Sequence, residues 1–181
     1  MNYTQQFQES MDEFKTFAEN LKKGVENLAS SGEVKLAQTE KELVYEDGKR
    51  KLYRYQARSK KICPVPMLIV YAMVNRYTML DLQPDRSMIR NLLDQGQDVY
   101  LIDWGYADRM DRHLTMDDLI NAFMDDCINH ICEQHQIEAV NLLGVCQGGT
   151  FSAIYSALHP EKVKNLITMV APIDFATNDS L

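Results

Sequence analysis

The sequence predicts an α/β fold, a mainly parallel sheet with helices on both faces, and three observations carry that prediction. Short continuous apolar runs recur at residues 65–74, 98–105, 139–145 and 164–172. Being continuous rather than alternating, they suit strands buried on both faces. Helical patterns separate them, which is the sign of βαβ units with right-handed crossovers. Finally, 181 residues with 45% hydrophobic and 25% charged content can bury the core of one ordinary domain with an appendage.

The appendage comes first. Residues 5–29 carry Phe7, Met11, Phe14, Ala18, Leu21, Val25 and Leu28 at alternating four- and three-residue spacing, the seam of an amphipathic helix. "SSG" stops it, so residues 1–32 form one helical unit and residues 33–181 the core. The seam is compatible with packing on its own domain. It is equally compatible with docking to a partner subunit, a dimer mate or an apolar particle.

Residues 42–56, "ELVYEDGKRKLYRYQ", predict a β-hairpin with Asp47-Gly48 as a type I′ pair. "VPMLIVYAMV" is then a buried strand, residues 85–97 a helix closed near Gly96, and "DVYLIDWG" a second buried strand. Residues 115–136 read as one long helix with Thr115 as N-cap and an acidic first turn, burying Leu119, Phe123, Cys127 and Ile131. "AVNLLGV", a helix over 150–158 and "KNLITMVAP" complete the alternation.

The totals exclude several functions. A net charge of −7 opposes general nucleic-acid binding. Cys63, Cys127, Cys132 and Cys146 match neither zinc-ligand spacing nor a CxxC redox pair, so free thiols in a reducing cytoplasm are expected. The first thirty residues lack the apolar core of a secretory signal, and no apolar run approaches the ~18–20 residues of a membrane span. Neither a dinucleotide fingerprint, a P-loop nor a metal-ligand cluster is visible, so no cofactor or metal is expected.

One stretch carries chemistry. In "NLLGVCQGGTFSAIYSALHP" an apolar strand ends at Cys146, flanked by Gly144, Gly148 and Gly149, and a helix follows. Gly-x-Cys-x-Gly between strand and helix has the form of a nucleophile elbow. The glycines allow the tight turn, and the helix N-terminus favours negative charge on an attacking group. The backbone N–H of Gln147 is one candidate oxyanion donor, and Val74 or Asn75, after the strand at 67–74, is the second. A base is harder to find. His113, His130, His135 and His159 are all poorly positioned, and residues 147–181 are too few to carry the acid and histidine that follow the nucleophile in such folds.

The segments "VPMLIVYAMVNR", "LDLQPDRS", "LLDQGQDVYLIDWGYAD", "TMDDLIN" and "VNLLGVCQGGTFSAIYSALHPEKVKNLITMVAPIDF" resemble the polyhydroxyalkanoate synthases, in particular the class III type, over residues 40–176. The resemblance implies an α/β-hydrolase-type fold that stops before the cap domain and later strands, an N-terminal half. It implies that Cys146 accepts the hydroxyacyl group of 3-hydroxyacyl-coenzyme A and carries the growing polyester as a thioester, with no other cofactor. Asn75-Arg76, Trp104 and Asp174 match family positions, though for Trp104 and Asp174 a packed aromatic and a turn carboxylate are the simpler roles. A second synthase subunit, a granule surface in the cytoplasm and a possible homodimer are the implied partners. With the catalytic Asp and His absent, the piece alone is expected to be inactive or nearly so.

Two other readings stay open. One is a Cys-nucleophile hydrolase of dienelactone type or a class I glutaminase, although the glycine- and proline-rich loop of the latter is missing. The other is a non-catalytic module held to a partner or granule by the 7–28 seam.

Overall fold

The computed structural model describes residues 3–30, 32 and 36–176. The chain divides into two compact units, Met1–Lys35 and Leu36–Leu181. Among its described residues the first contains a single helix, α1 (Tyr3–Ser30). Ion pairs Lys15–Asp12 and Lys22–Glu26 decorate it at helical spacing, and Phe7, Phe14, Leu21 and Val25 of the seam are exposed on it.

The second unit runs β1 (Lys41–Asp47), β2 (Arg50–Tyr55), β3 (Met67–Val70), β4 (Asp81–Gln83), β5 (Arg86–Ser87), α2 (Met88–Asp94), β6 (Val99–Asp103), α3 (Asp125–His135), β7 (Val140–Val145), α4 (Gln147–Leu158) and β8 (Val163–Met169). Six strands form one sheet in the order β1-β2-β6-β3-β7-β8. The pairs β6–β3, β3–β7 and β7–β8 are parallel, and β1–β2–β6 is an antiparallel extension. The predicted α/β class is therefore the observed one.

Strand alternation sorts the core into two layers. Leu68 and Val70 of β3, Tyr100 and Ile102 of β6, and Val140 and Leu142 of β7 pack with Ile128 and Ile131 of α3 and with Phe151 and Tyr155 of α4. The intervening Met67, Ile69, Val99, Leu101, Leu143 and Val145 pack on the opposite face against Ile89 and Leu93 of α2. Helices thus cover both faces of β3, β6 and β7, which explains their continuous apolar runs, whereas β8 is exposed over most of its length.

Several elements differ in detail from expectation. The hairpin turn is centred on Gly48-Lys49, not Asp47-Gly48: Asp47 pairs with Arg50, and of the turn residues only Gly48 (φ +60°) has positive φ. Glycine at the first central position alone is the II′ pattern, and the Arg50–Asp47 ion pair closes it. The predicted strand at 65–74 is regular only over β3. The helix expected from residue 85 begins at α2 after a small β4–β5 hairpin, because Ser87 is the cap, its hydroxyl accepting from the Arg90 N–H. Helix α4 starts at Gln147, earlier than the predicted 150. Residues 116–135 are helical throughout, but Asp118–Met124 winds as a π-helix. Thr115 does cap this helix: its hydroxyl accepts from the Asp118 N–H while the Asp118 carboxylate accepts from the Thr115 N–H and Oγ1.

Buried carboxylates tie the elements together. Asp81 accepts from Thr39 N, Thr39 Oγ1 and Ser87 Oγ at 3.0, 2.8 and 2.5 Å. Burial pushes its carboxyl up, but those hydrogen bonds outweigh it and hold the pKa below the ordinary value. Asp98, buried between β2 and β6, receives both Nε and Nη2 of Arg54 at 3.1 and 2.8 Å.

The Asp81 cluster predicts a pH dependence. Its folded pKa lies below the unfolded value of about 3.9, so its stabilisation is complete above that value and is lost as pH falls through the folded pKa. Asp81→Asn is expected to cost roughly 1–3 kcal/mol at pH 7, measured by urea unfolding. The gap to wild type should narrow at pH 3.

Candidate active site

The corner between β7 and α4 is built by close approach. Cys146 is its apex, with φ +55° and ψ −128°, a conformation costly for a non-glycine residue. A methyl on Gly144 would lie 2.5 Å from Gly149 Cα and 2.7 Å from Ser152 Oγ. One on Gly148 would collide with the Val70 carbonyl at the end of β3, and one on Gly149 with the Ala171 side chain. Glycine is required at all three positions because the first turn of α4 is pressed against β3, β7 and the segment leaving β8. The apex is further stapled: Cys146 N–H donates to the Met169 carbonyl at 2.9 Å, and Gly149 N–H donates to the Cys146 carbonyl at 2.8 Å.

The half-buried Cys146 packs against the same core layer as Tyr71 and Tyr77. The Tyr77 hydroxyl is pushed up to about 12, first by burial and then by the Asp103 charge. These two tyrosines also border a cavity of about 120 Å³ at the carboxyl ends of β3 and β6, with Met73, Asn75, Arg76 and Trp104 among its walls. Trp104 is a buried aromatic. Its indole N–H donates to the Tyr71 carbonyl at 2.9 Å, and its ring meets Phe151 edge-on. Arg76 lies over the Tyr106 ring, 3.1 Å from its centroid.

The structure brings Gln147 onto the loop after β3, through its side chain: Oε1 accepts from the Met73 N–H at 3.1 Å. Val74, 86% exposed, and Asn75 line the cavity, and Asn75 Oδ1 accepts from the Arg76 N–H at 2.7 Å. Met73 is the loop residue that sequence reading passed over. The only signal was its position in the strand run, where it reads as one more core residue. Asp174 closes a local turn by accepting from the Ala176 N–H.

No histidine joins this corner among the described residues. His113 accepts from Arg112, His130 stacks on Tyr45, His135 meets the Tyr100 hydroxyl at 2.8 Å, and His159 lies against the Tyr155 ring and Asn121. The other thiols are differently situated. Burial pushes Cys127 and Cys132 up, and Cys63 accepts from Gln97 Nε2. No group of three His, Cys, Asp or Glu side chains among the described residues is arranged to hold a metal ion, and no described helix is long and apolar enough to cross a membrane.

A mainly parallel sheet, a strand–helix corner with a positive-φ cysteine and a cavity at the carboxyl ends of β3 and β6 define the class: the chain belongs to the alpha/beta hydrolase fold family, which it matches over residues 37–180. Within that class it is 52% identical over 167 residues to the poly(3-hydroxyalkanoate) polymerase subunit PhaC of Allochromatium vinosum, covering 91% of this chain and 47% of that protein. It is 49% identical over 170 residues to the same-named subunit of a Synechocystis species, covering 93% and 45% respectively. The chain thus spans about half the length of the curated relatives it matches. Among solved structures, the Francisella virulence factor BioJ shares the fold with a TM-score of 0.58 at 17% identity, over 90% of this chain and 52% of that one.

The packing at the corner predicts that Gly148→Ala lowers stability by roughly 3 kcal/mol, seen as a drop in the urea midpoint. Gly24→Ala in α1, where nothing lies within 4 Å of the added methyl, should instead raise helix stability by roughly 0.5–1 kcal/mol.

Proposed function

We propose that this chain is the nucleophile-bearing part of an acyltransferase that polymerises 3-hydroxyacyl-coenzyme A, 3-hydroxybutyryl-coenzyme A in particular, into polyhydroxyalkanoate. The observation that carries the reading is Cys146 at positive φ on the β7–α4 corner, in a chain half identical to proteins named as that polymerase. The chain corresponds to the N-terminal half of a class III type synthase. Its partners are a second synthase subunit, the growing polyester and the granule surface in the cytoplasm.

The chemistry follows from the corner. Cys146 Sγ attacks the thioester carbonyl carbon; the bond to the coenzyme A sulfur breaks, and the departing thiolate takes the proton that Sγ gave up. The Gln147 N–H, at the N-terminus of α4, is one donor to the oxyanion, and the N–H of Val74 or Asn75 is the second. The Met73–Gln147 hydrogen bond holds that loop to the corner. Exchange of one thioester for another is nearly isoenergetic, which suits a catalyst that passes chains repeatedly. Chain growth requires the hydroxyl of an incoming unit to attack the Cys146 thioester, forming an ester and freeing the thiol. That step needs a general base, which the family carries as Asp and His outside the residues matched here. The chain alone is therefore expected to acylate slowly and to stop.

Intact-mass measurement after incubation with 3-hydroxybutyryl-coenzyme A tests this. The expected result is a gain of one 3-hydroxybutyryl unit, absent in Cys146→Ala, with no further growth. Acylation that persists in Cys146→Ala, or none in the folded wild type, would overturn the assignment of Cys146.

A further inference from the structure

Gln147 belongs to the corner twice, once through its backbone and once through its side chain. Its backbone opens α4 directly after Cys146. Its side chain turns to the loop after β3, where Oε1 accepts the Met73 N–H at 3.1 Å, 74 positions away in sequence.

That loop is anchored residue by residue as far as Met73. The Val70 carbonyl is pressed against Gly148, and the Tyr71 carbonyl accepts the Trp104 indole N–H at 2.9 Å. Ala72 is buried, and the Met73 side chain packs on the core layer that contains Trp104, Leu119 and Phe123. Beyond Met73 the chain opens out. Val74 is 86% exposed, and the Asn75 side chain bonds to the N–H of its own neighbour, Arg76. Met73 is therefore the last anchored residue before the two candidate loop donors.

The covalent geometry of the chain turns that anchor into a control on direction. The Val74 N–H lies in the same rigid plane as the Met73 carbonyl. With the Met73 N–H held by Gln147 and its side chain held by the core, ψ of Met73 is the main torsion left to aim that donor. Asn75 is two further torsions away, so its N–H is steered less directly. A hydrogen-bond donor to an oxyanion works only when it already points at the place where charge develops.

Few side chains could do this from the first turn of α4. Asn carries the same acceptor on a stem one carbon shorter, and Leu carries none. Glu has the reach, but it would set a negative charge where the oxyanion forms. Gln supplies a neutral acceptor of the required length.

We propose that the Gln147 carboxamide is a positioning residue for acyl transfer to Cys146: through Met73 it aligns the loop donor with the donor on its own backbone, so that one residue sets both hydrogen bonds to the oxyanion. The oxyanion step rests on the Cys146 reading above; the tether rests on the Met73–Gln147 geometry alone.

The test compares this chain with Gln147→Met, a side chain of similar length without the carboxamide oxygen, in two reactions of Cys146. In acylation by p-nitrophenyl acetate, Sγ attacks the ester carbonyl carbon, an oxyanion forms, and p-nitrophenolate leaves. In alkylation by iodoacetamide, Sγ displaces iodide and no oxyanion arises. Both are read on the Cys146 peptide by mass, because Cys63, Cys127 and Cys132 are also free thiols. Acylation by 3-hydroxybutyryl-coenzyme A is measured alongside.

The expected result is a split: acylation by either donor falls roughly 10²-fold, the cost of misplacing a catalytic group by about 1 Å, while alkylation stays within about twofold. Amide exchange across residues 71–77 should quicken in the variant. Gln147→Leu should repeat the split, so a fold lost to one substitution does not hide it. Acylation unchanged in both variants, or alkylation reduced by the same factor in chains with native circular dichroism, would overturn the positioning role. The split with p-nitrophenyl acetate but no reaction with 3-hydroxybutyryl-coenzyme A would keep the tether and overturn the polymerase reading. No acylation of Cys146 by either donor in the folded chain would overturn both.

Discussion

The structure depends most on how closely the first turn of α4 approaches the sheet. Gly148 lies so near the Val70 carbonyl that no side chain can stand between them, and Gly144 and Gly149 face each other at similar range. That contact fixes where β7 must stop and how sharply the chain must turn. Cys146 therefore takes a backbone conformation that L-residues avoid, and the surrounding packing has to supply the strain of about 1–3 kcal/mol. The hydrogen bonds from Cys146 to Met169 and from Gly149 to Cys146 share that task.

The same contact organises the cavity. Pressing α4 against the end of β3 forces the chain after Val70 out of the sheet, and Gln147 then catches it at Met73. Tyr71 and Tyr77 pack on the same core layer as Cys146, while Trp104 anchors the neighbouring β6 loop by its bond to the Tyr71 carbonyl. The well-partnered carboxylates Asp81, Asp98 and Asp125 sit at strand ends and helix junctions. Asp125 shows the balance: burial raises its carboxyl, yet Lys162, Tyr155 and Asn129 together hold it below the ordinary value. They join elements rather than acting at Cys146.

Much of this was legible in residue order. Continuous apolar runs such as "MLIV" and "VYLID" suit strands covered on both faces, although the run that forms β8 is exposed, and the glycine spacing around Cys146 marks a corner whatever its chemistry. What escaped was set by tertiary geometry. A turn shifted by one residue at Gly48-Lys49 depends on which cross-strand pair forms, and "DGK" allows both. The β4–β5 hairpin exists because Asp81 draws Ser87 and Thr39 around it, a long-range cluster with no local signal. The π-helical stretch at Asp118–Met124 keeps Leu119, Ile120, Phe123 and Met124 all buried, which spacing alone cannot distinguish from an α-helix. In the loop after β3, Val74 and Asn75 look equivalent to Met73 in sequence; only the reach of Gln147 separates them.

The central claim is that packing holds Cys146 in a strained conformation, and a comparison of Cys146→Gly with Cys146→Ala by urea unfolding tests it most directly. Glycine relieves the strain at φ +55° but gives up roughly 0.4–1 kcal/mol to the greater freedom of its unfolded chain. The account predicts that Cys146→Gly is still the more stable of the two, by about 1 kcal/mol. An alanine variant as stable as the glycine variant, or more so, would mean that the corner is relaxed and that the chain does not preform it.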